Sequence, residues 1–459
     1  MQSAELLICG AGIGGISAAY SLATKHNITD VLLVDPEPPL SVTSDKSFEA
    51  YRNWWPGPGD AMVALANHSI NILERIHCQQ PDLLHMNRRG YLFVSADPSR
   101  ADELLASAQE CCNLGAGEFR VYRGQPGDPQ YIPISDHGLL DAPDGADLIL
   151  DRSLIRTHFP HLADNACILL HTRRCGWFAA RQFGMYMLDE ARARGVRLLK
   201  GEVVGVEIAD NAVSAVRVKS SDGETVIQAK RFVNAAGPGQ KKVGALLGLD
   251  LPVHAELHMK MAIDDQKRTI PREMPLTIWY DPIHLEWSED ERAFLAEDES
   301  MSWLLDEQPA VAVARPEGVG DSTIALMQWH YHLQPDEPIF PLPVDPDFPE
   351  YVLRGVAHML PTTKIYFENL PKPYVDGGYY MTTPENRPII GPTGGIKGAY
   401  MLGGLSGFGM QIGPAAGELL ADYVADAPLP DYAPAFLLER FDDPGYLKML
   451  EEWGATGNL

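Results

Sequence analysis

Positive charge is scarce in this sequence. Its 37 Lys and Arg stand against 62 Asp and Glu, a formal net charge of −25. A surface of that sign repels phosphate backbones and excludes nucleic acid as a natural partner. Long apolar runs are absent: none approaches the roughly 18 residues of a membrane-spanning helix. The six cysteines, at positions 9, 78, 111, 112, 167 and 175, contain no C-x-x-C pair. That spacing excludes a zinc ribbon and a thioredoxin-like redox pair, and no metal is expected. Unpaired thiols in a chain of this size fit a reducing cytoplasm better than a secreted scaffold. The apolar stretch at 5–23 has no basic segment ahead of it, so it is not read as a signal peptide. No internal repeat is visible.

What is present is a globular composition. A chain of 459 residues, 45% hydrophobic and 22% charged, suits two domains, or one large α/β domain with an insertion. The 41 Gly and 36 Pro imply many tight turns.

The N-terminus carries the most specific pattern. Residues 4–9 (AELLIC) are an apolar run of the kind that forms a buried strand. Gly10-Ala11-Gly12-Ile13-Gly14-Gly15 follows at once, and residues 16–23 read as a helix with small residues toward a sheet. A second apolar run at 31–34 ends in Asp35, twenty residues after Gly15. Strand, Gly-rich turn, helix, strand and terminal acid make up the whole dinucleotide-binding fingerprint. Gly10 permits the tight turn, Gly12 lets the backbone approach a pyrophosphate, and Gly15 lets the helix pack close to the strand. The helix N-terminus then stabilises phosphate charge, and Asp35 accepts hydrogen bonds from ribose hydroxyls.

The fingerprint alone does not separate NAD from FAD. Only one complete copy is present, whereas a pyridine-nucleotide disulfide reductase needs two. Two further Gly-rich segments follow strand-like runs: KRFVNAAGPG at 230–239, and GGLSGFGM at 403–410, which leads into a helix over about 414–424. Three backbone-exposing segments, far apart in sequence, suggest one extended ligand held along its length.

Together these segments resemble the D-amino-acid oxidase superfamily of FAD-dependent amine and amino-acid oxidoreductases. The nearest branch is that of sarcosine oxidase, dimethylglycine dehydrogenase and dye-linked proline dehydrogenase. The matching pieces are GAGIGG with Asp35, FVNAAGPG at 232–239, TTPENRPIIGP at 382–392 and GGLSGFGM at 403–410. The Gly-Asp-x-x-His stretch of aromatic-hydroxylating flavin monooxygenases is absent. The resemblance implies an α/β protein: a Rossmann-like FAD-binding domain over 1–80, 150–250 and 376–459, interleaved with a mixed-sheet α+β substrate domain over 81–149 and 251–375. Several segments fit that division on their own pattern. Residues 124–147 read as a long loop, and 196–229 as short strands with an Asp222-Gly223 hairpin turn. Residues 253–261 alternate, with His254, Glu256, His258 and Lys260 on one face, and 324–332 read as a strand with Gln328, His330 and His332 on one face. Residues 334–349 are a Pro-rich, acidic surface connection.

By the same resemblance FAD is held by Gly10, Ala11, Gly12, Ile13, Gly14, Gly15 and Asp35, by Ser44, Arg52 and Asn53, by Val203, by Ala236 and Gly237, and by Gly404, Ser406, Gly407, Phe408, Gly409 and Met410. Arg52 falls where sarcosine oxidases place an arginine near the flavin and the substrate carboxylate. A guanidinium suits that role because it stays charged and binds a carboxylate bidentately. Trp54 and Trp55 depart from the branch that links FAD to a histidine, and Gly378 stands where monomeric sarcosine oxidases carry their flavin-linking cysteine. FAD is therefore expected without a covalent link. Tyr380 replaces the carboxylate-binding arginine of glycine oxidase and D-amino-acid oxidase.

His258, Lys260 and His330 are the candidates for a pocket over the flavin. A neutral histidine there accepts a proton from an ammonium, and Lys260 is the candidate positive charge for reaction with oxygen. Trp279, Tyr280, Trp303, Trp329 and Tyr331 offer an aromatic lining for a methylated or cyclic ammonium. Residues 286–300 read as an acidic amphipathic helix, a solvated face or a lid, and Arg315 reads as structural.

The expected reaction is oxidation of the C–N bond of a secondary or tertiary amine or amino acid, with hydride passing to flavin N5 and the imine hydrolysed. Oxygen or an electron-transfer acceptor takes the electrons. Two alternatives stay open: C–O oxidation of a 2-hydroxy acid or a phosphate alcohol on the same fold, and a non-catalytic FAD-binding assembly or electron-transfer subunit. A phosphate substrate needs a basic cluster, and only Arg173-Arg174 and Lys241-Lys242 are close basic pairs of that kind.

Overall fold

The computed structural model describes residues 2–134, 139–331 and 335–453. His332, expected on a polar strand face, lies outside them. The first strand, Gln2–Cys9, sits inside an eight-stranded sheet with Leu6, Leu7 and Ile8 fully buried, which is why its sequence is apolar on both faces. It runs parallel to Val31–Asp35 on one side and to Gly223–Asn234 on the other. Arg197–Lys200 extends the parallel run beyond Val31–Asp35, and Ala399–Gly403 lies parallel to the end of Gly223–Asn234. Strands from the start, middle and end of the chain thus finish side by side. Their following turns carry the three Gly-rich segments to one edge of the sheet, where open parallel sheets bind ligands.

Helix Ile13–Lys25 covers this sheet together with Ala61–Gln79, Ala180–Ala193 and Gly409–Val424, which share its apolar core. The last of these begins five residues before the expected 414, inside the Gly-rich segment. Pro414, the sixth residue of this helix, cannot donate the backbone hydrogen bond that the Met410 carbonyl would accept. The expected hairpin forms with Gly223 opposite Ser220.

A second, ten-stranded sheet lies beside the first. Its order is Pro335–Asp336, His254–Asp264, Ile324–Gln328, Val313–Pro316, Leu276–Trp279, Tyr91–Ser95, Ile168–Thr172, Ala146–Ile149, Phe119–Tyr122, with Tyr374–Thr382 paired along His254–Asp264. Two expected divisions shift. Ile168–Thr172, placed by the sequence at 150–250 in the first domain, is buried along its length between Tyr91–Ser95 and Ala146–Ile149 of the second sheet. The boundary at 376 falls within the strand Tyr374–Thr382. The strand from Ile324 also ends at Gln328 and does not reach 332. Trp329 turns its indole into the core and donates to the Pro309 carbonyl at 3.0 Å, which leaves His330 just past the strand.

The acidic helix Glu289–Glu297 is capped by a reciprocal Ser288–Glu291 box. Arg354 of helix Phe348–Met359 holds it in place, 2.7 Å from Glu291 and over the Trp287 ring. Trp279 and Trp329 are buried against that same helix. Among the described residues no helix is long and apolar enough to cross a membrane.

Ala50–Arg52 and Cys175–Trp177 form a two-stranded ribbon that belongs to neither sheet. Arg315 ties this ribbon to the second sheet. It is 0% exposed, donates to the Phe48 carbonyl at 2.8 and 3.1 Å, pairs with Glu317 and lies between the rings of Phe48 and Trp177. Removing this guanidinium loses charged hydrogen bonds to the Phe48 carbonyl and a contact with the part-exposed Glu317, about 1–3 kcal/mol. Arg315→Ala is expected to lower unfolding stability by that amount in a denaturant titration; a loss under 1 kcal/mol would show that the tie carries little.

Candidate functional site

The three Gly-rich turns meet at backbone distance. Gly10 has φ +114°, and a Cβ there would lie 2.2 Å from the Ala235 carbonyl oxygen. A Cβ on Gly15 would lie 2.0 Å from the Gly10 carbonyl oxygen. Any side chain at either position would push strand, helix and neighbouring turn apart. Asp35 closes the turn from the next strand: its carboxylate accepts from the Ala11 N–H at 2.6 Å and the Glu37 N–H at 2.8 Å. Burial raises its pKa and these two hydrogen bonds oppose the rise. Ser44 Oγ reaches over the helix and accepts from the Ile13 N–H at 3.0 Å.

A cavity of about 630 Å³ runs along these turns. At one end lie Asp35, Glu37 and Val203; Gly10, Gly12, Ile13 and Gly14 form its floor with Ala235 and Ala236; Gly404, Ser406 and Met410 lead to Tyr380. The residues fit a dinucleotide. The floor is backbone, the acid stands at one end, and the wall holds an unsatisfied donor: Gln240 is fully buried, its Oε1 accepts from the Gly404 N–H at 3.0 Å, and its Nε2 has no partner among the described residues.

Most of the residues expected to hold FAD line this cavity, including Ser44, Gly237, Gly407 and Gly409. Ala11 and Gly15 lie beneath the floor, and Phe408 stands behind it, edge-on to Trp55 at 4.4 Å. Asn53 is turned into the scaffold, where its amide donates to Asn67 and to the Ala116 carbonyl. The sequence pattern did not mark Thr43, Lys46, Ser47 and Gln240, which also line the cavity. Gln240 directly follows the GPG of the second Gly-rich segment, and that adjacency is the one signal that pointed to it.

Arg52 ends the isolated ribbon. Gln411, from the first turn of helix Gly409–Val424, clasps its backbone at both groups, at 3.0 and 2.7 Å. The guanidinium is buried, 4.6 Å from the Trp55 ring centre and 5.3 Å from that of Phe408. Burial lowers its pKa, and no carboxylate pairs with it among the described residues.

His258 and His330 come together, with His258 Nδ1 at 3.0 Å from His330 Nε2. They stand behind Tyr380, and Tyr380 forms the cavity wall. Burial lowers the pKa of both imidazoles, and it lifts the Tyr380 phenol to about 12. Lys260 shares the strand face of His258, yet its ammonium donates to the backbone carbonyls of Lys46 and Ser47, so it pins the 44–47 turn instead of standing free over the cavity. Burial lowers its pKa as well. Trp279, Tyr280, Trp303, Trp329 and Tyr331 belong to the second sheet and its helices; the aromatic rings on the cavity wall are Phe340, Tyr379 and Tyr380.

Comparison with known proteins gives the same picture. The family model described as FAD dependent oxidoreductase matches residues 5–423. FAD-dependent oxidoreductase domain-containing protein 1 of Xenopus laevis is 23% identical over 453 residues, covering 93% of this chain and 80% of that protein. Mitochondrial dimethylglycine dehydrogenase of Rattus norvegicus is 23% identical over 92% of this chain, which spans only 43% of that longer protein. The crystal structure of L-proline dehydrogenase from P. horikoshii superposes with a TM-score of 0.72 at 18% identity, covering 96% of this chain and 98% of that one.

Two outcomes follow from the cavity. Asp35→Ala removes a charged acceptor, worth about 1.5–3 kcal/mol, and is expected to weaken FAD binding roughly 10- to 100-fold, read from flavin fluorescence as apoprotein is titrated. Gly378 is a glycine with Thr43 Cα 3.2 Å from where a Cβ would stand, so no linking side chain is available there. Acid precipitation is expected to leave all flavin colour in the supernatant, and colour in the pellet would refute non-covalent binding.

Proposed function

The chain belongs to the FAD-dependent oxidoreductase family, and from that footing we propose that it oxidises the C–N bond of a secondary or tertiary amine that carries a carboxylate, an N-methyl or cyclic amino acid. The observation that carries this reading is Arg52: a buried guanidinium without a carboxylate partner among the described residues, held against the ring of Trp55 and that of Phe408, whose chain neighbours Gly407 and Gly409 line the cavity although Arg52 itself does not. A buried, unpaired charge is costly, and a bound anion relieves that cost.

FAD, when bound, supplies the hydride acceptor. Gly10, Gly12, Gly14 and Ala236 give it a backbone floor, and Asp35 meets its ribose. Arg52 takes the substrate carboxylate and fixes which carbon faces the flavin. Trp55 and Phe408 keep water from the charge. The carbon next to nitrogen gives up its hydrogen with the bonding pair, leaving an imine that water hydrolyses. A secondary or tertiary amine agrees with the dimethylglycine and proline dehydrogenases to which the chain is similar.

A phosphate alcohol fits less well, because three of the four side chains in the close basic pairs are already engaged. Arg173 pairs with Asp147 at 2.9 Å, Arg174 with Glu74 at 2.7 Å and Lys242 with Glu202 at 2.6 Å.

The test is an anaerobic screen for loss of flavin colour. Sarcosine, dimethylglycine, proline and related amines are expected to bleach it; bleaching by lactate or glycerol 3-phosphate alone would overturn the reading. Arg52→Ala is expected to raise KM for the bleaching amine by a factor of ten or more, from roughly 2–5 kcal/mol of lost charged contact.

A further inference from the structure

The turn after Gly223–Asn234 and the turn after Ala399–Gly403 are joined through one side chain. Asn234 first gives its own turn a fixed shape: its amide donates to the Gln240 carbonyl at 2.9 Å, and its side-chain oxygen accepts from the Ala236 N–H at 3.3 Å. Gln240 is thus presented from a braced backbone, and its fully buried side chain crosses to the other turn. There its Oε1 accepts from the Gly404 N–H at 3.0 Å. A Cβ on Gly403 would lie 2.0 Å from the same oxygen, so the carboxamide is pressed onto backbone that only glycine leaves open. Both turns border the start of helix Ile13–Lys25: Gly10 lies against Ala235, and a Cβ on Gly14 would lie 2.9 Å from Leu402 Cδ2.

The orientation of this amide is decided by an atom of fixed polarity. A backbone N–H only donates, so the atom facing Gly404 is the oxygen; the flipped amide would set donor against donor. Nε2 therefore takes the other side, where its hydrogens have no acceptor among the described residues. Buried polar groups are seldom left in that condition, because the lost hydration is not recovered. Gln240 also lines the cavity. Its carboxamide has one end spent on the protein and one donor end spare at a ligand site. The charges nearby make a neutral donor useful. The lysines on the cavity wall are already paired, Lys46 with Asp376 at 3.1 Å and Lys242 with Glu202 at 2.6 Å. The Ile13 N–H at the helix start is taken by Ser44.

We propose that Gln240 is a direct FAD ligand: its Nε2 donates to a phosphate oxygen of the cofactor while its Oε1 holds Gly404. The place in the cavity selects the phosphate. A diphosphate sits at the N-terminus of the helix after the first Gly-rich turn, and Leu402, beside the Gly403 and Gly404 that carry the amide, lies against Gly14 in the first turn of that helix. A phosphate diester is ionised and only accepts, so it matches a spare N–H. The proposal concerns the cofactor alone and is independent of which amine the protein oxidises. It also makes the residue that meets FAD the same one that joins two of the three Gly-rich segments.

The experiment measures FAD binding to the full-length apoprotein by flavin fluorescence, for wild type and two variants, across the range in which a buried carboxyl titrates, about pH 5 to about pH 9. Gln240→Met removes donor and acceptor together and is expected to weaken FAD about tenfold or more at every pH. Gln240→Glu keeps an oxygen for Gly404 and exchanges only the donor for a second acceptor. At the alkaline end the ionised carboxyl opposes the phosphate, and FAD is expected to bind at least about tenfold less tightly than to wild type. At the acid end the protonated carboxyl offers an O–H donor, and the deficit is expected to shrink to about threefold or less. A residue that only joined the two turns would show no such slope, since either form of the carboxyl accepts from Gly404. A Gln240→Glu affinity in constant ratio to wild type over the whole range, or a Gln240→Met loss below about twofold, overturns the proposal. ADP, which carries the diphosphate without the flavin, is the second probe. Its displacement by FAD is expected to report a loss of ADP affinity in Gln240→Met parallel to that of FAD; unchanged ADP affinity beside weakened FAD overturns the phosphate contact.

Discussion

The molecule is organised around a contact from which side chains are excluded. Gly10 lies against the Ala235 carbonyl and Gly15 against the Gly10 carbonyl, both at distances that a methyl group would violate. That contact brings the end of Gln2–Cys9, the start of helix Ile13–Lys25 and the turn after Gly223–Asn234 into one floor. Ala399–Gly403 joins the same strand end, and the helix after it packs on Ile13–Lys25. The long cavity follows from these placements: three turns that carry no bulk leave a trough, and the acid on the neighbouring strand closes one end of it.

The floor was legible in the sequence because its signals are local. Glycine spacing, short apolar runs and the acid after the second strand state a strand–turn–helix–strand unit without reference to anything distant. The walls were less legible. The alternation at 253–261 placed His258 and Lys260 on one face correctly, yet their partners depend on register. His254–Asp264 pairs with Tyr374–Thr382 so that His258 sits opposite Gly378 and Glu256 opposite Tyr380, a relation spanning more than a hundred residues of chain. Lys260 found its partners in the carbonyls of an irregular turn, which no periodicity encodes. Ile168–Thr172 has an unambiguous strand pattern, but nothing within it says which sheet it joins. Trp279 and Trp329 offered an aromatic lining, though scattered aromatics are more often core, and helix Phe348–Met359 decides for the core.

Charge pairing tells the two kinds of buried arginine apart. Arg173, Arg315 and Arg354 each lie within ion-pair distance of a carboxylate and serve the scaffold. Arg52 is stabilised by ring faces alone, a weaker arrangement that keeps the guanidinium available. In a chain with a net charge of −25, the supply of acids is ample, so a cation left without one stands out more than it would in a basic protein.

The ribbon of Ala50–Arg52 and Cys175–Trp177 stands outside both sheets, and Gln411 clasps Arg52 from the helix that begins in the Gly-rich segment. Tyr380 belongs to the second sheet. Arg52 and the cavity wall at Tyr380 therefore answer to different parts of the chain. Mutational drift in the second sheet can reshape one flank while the cation stays registered to the floor. An architecture split in this way permits descendants to change the molecules they process by rewriting one layer while the other is kept.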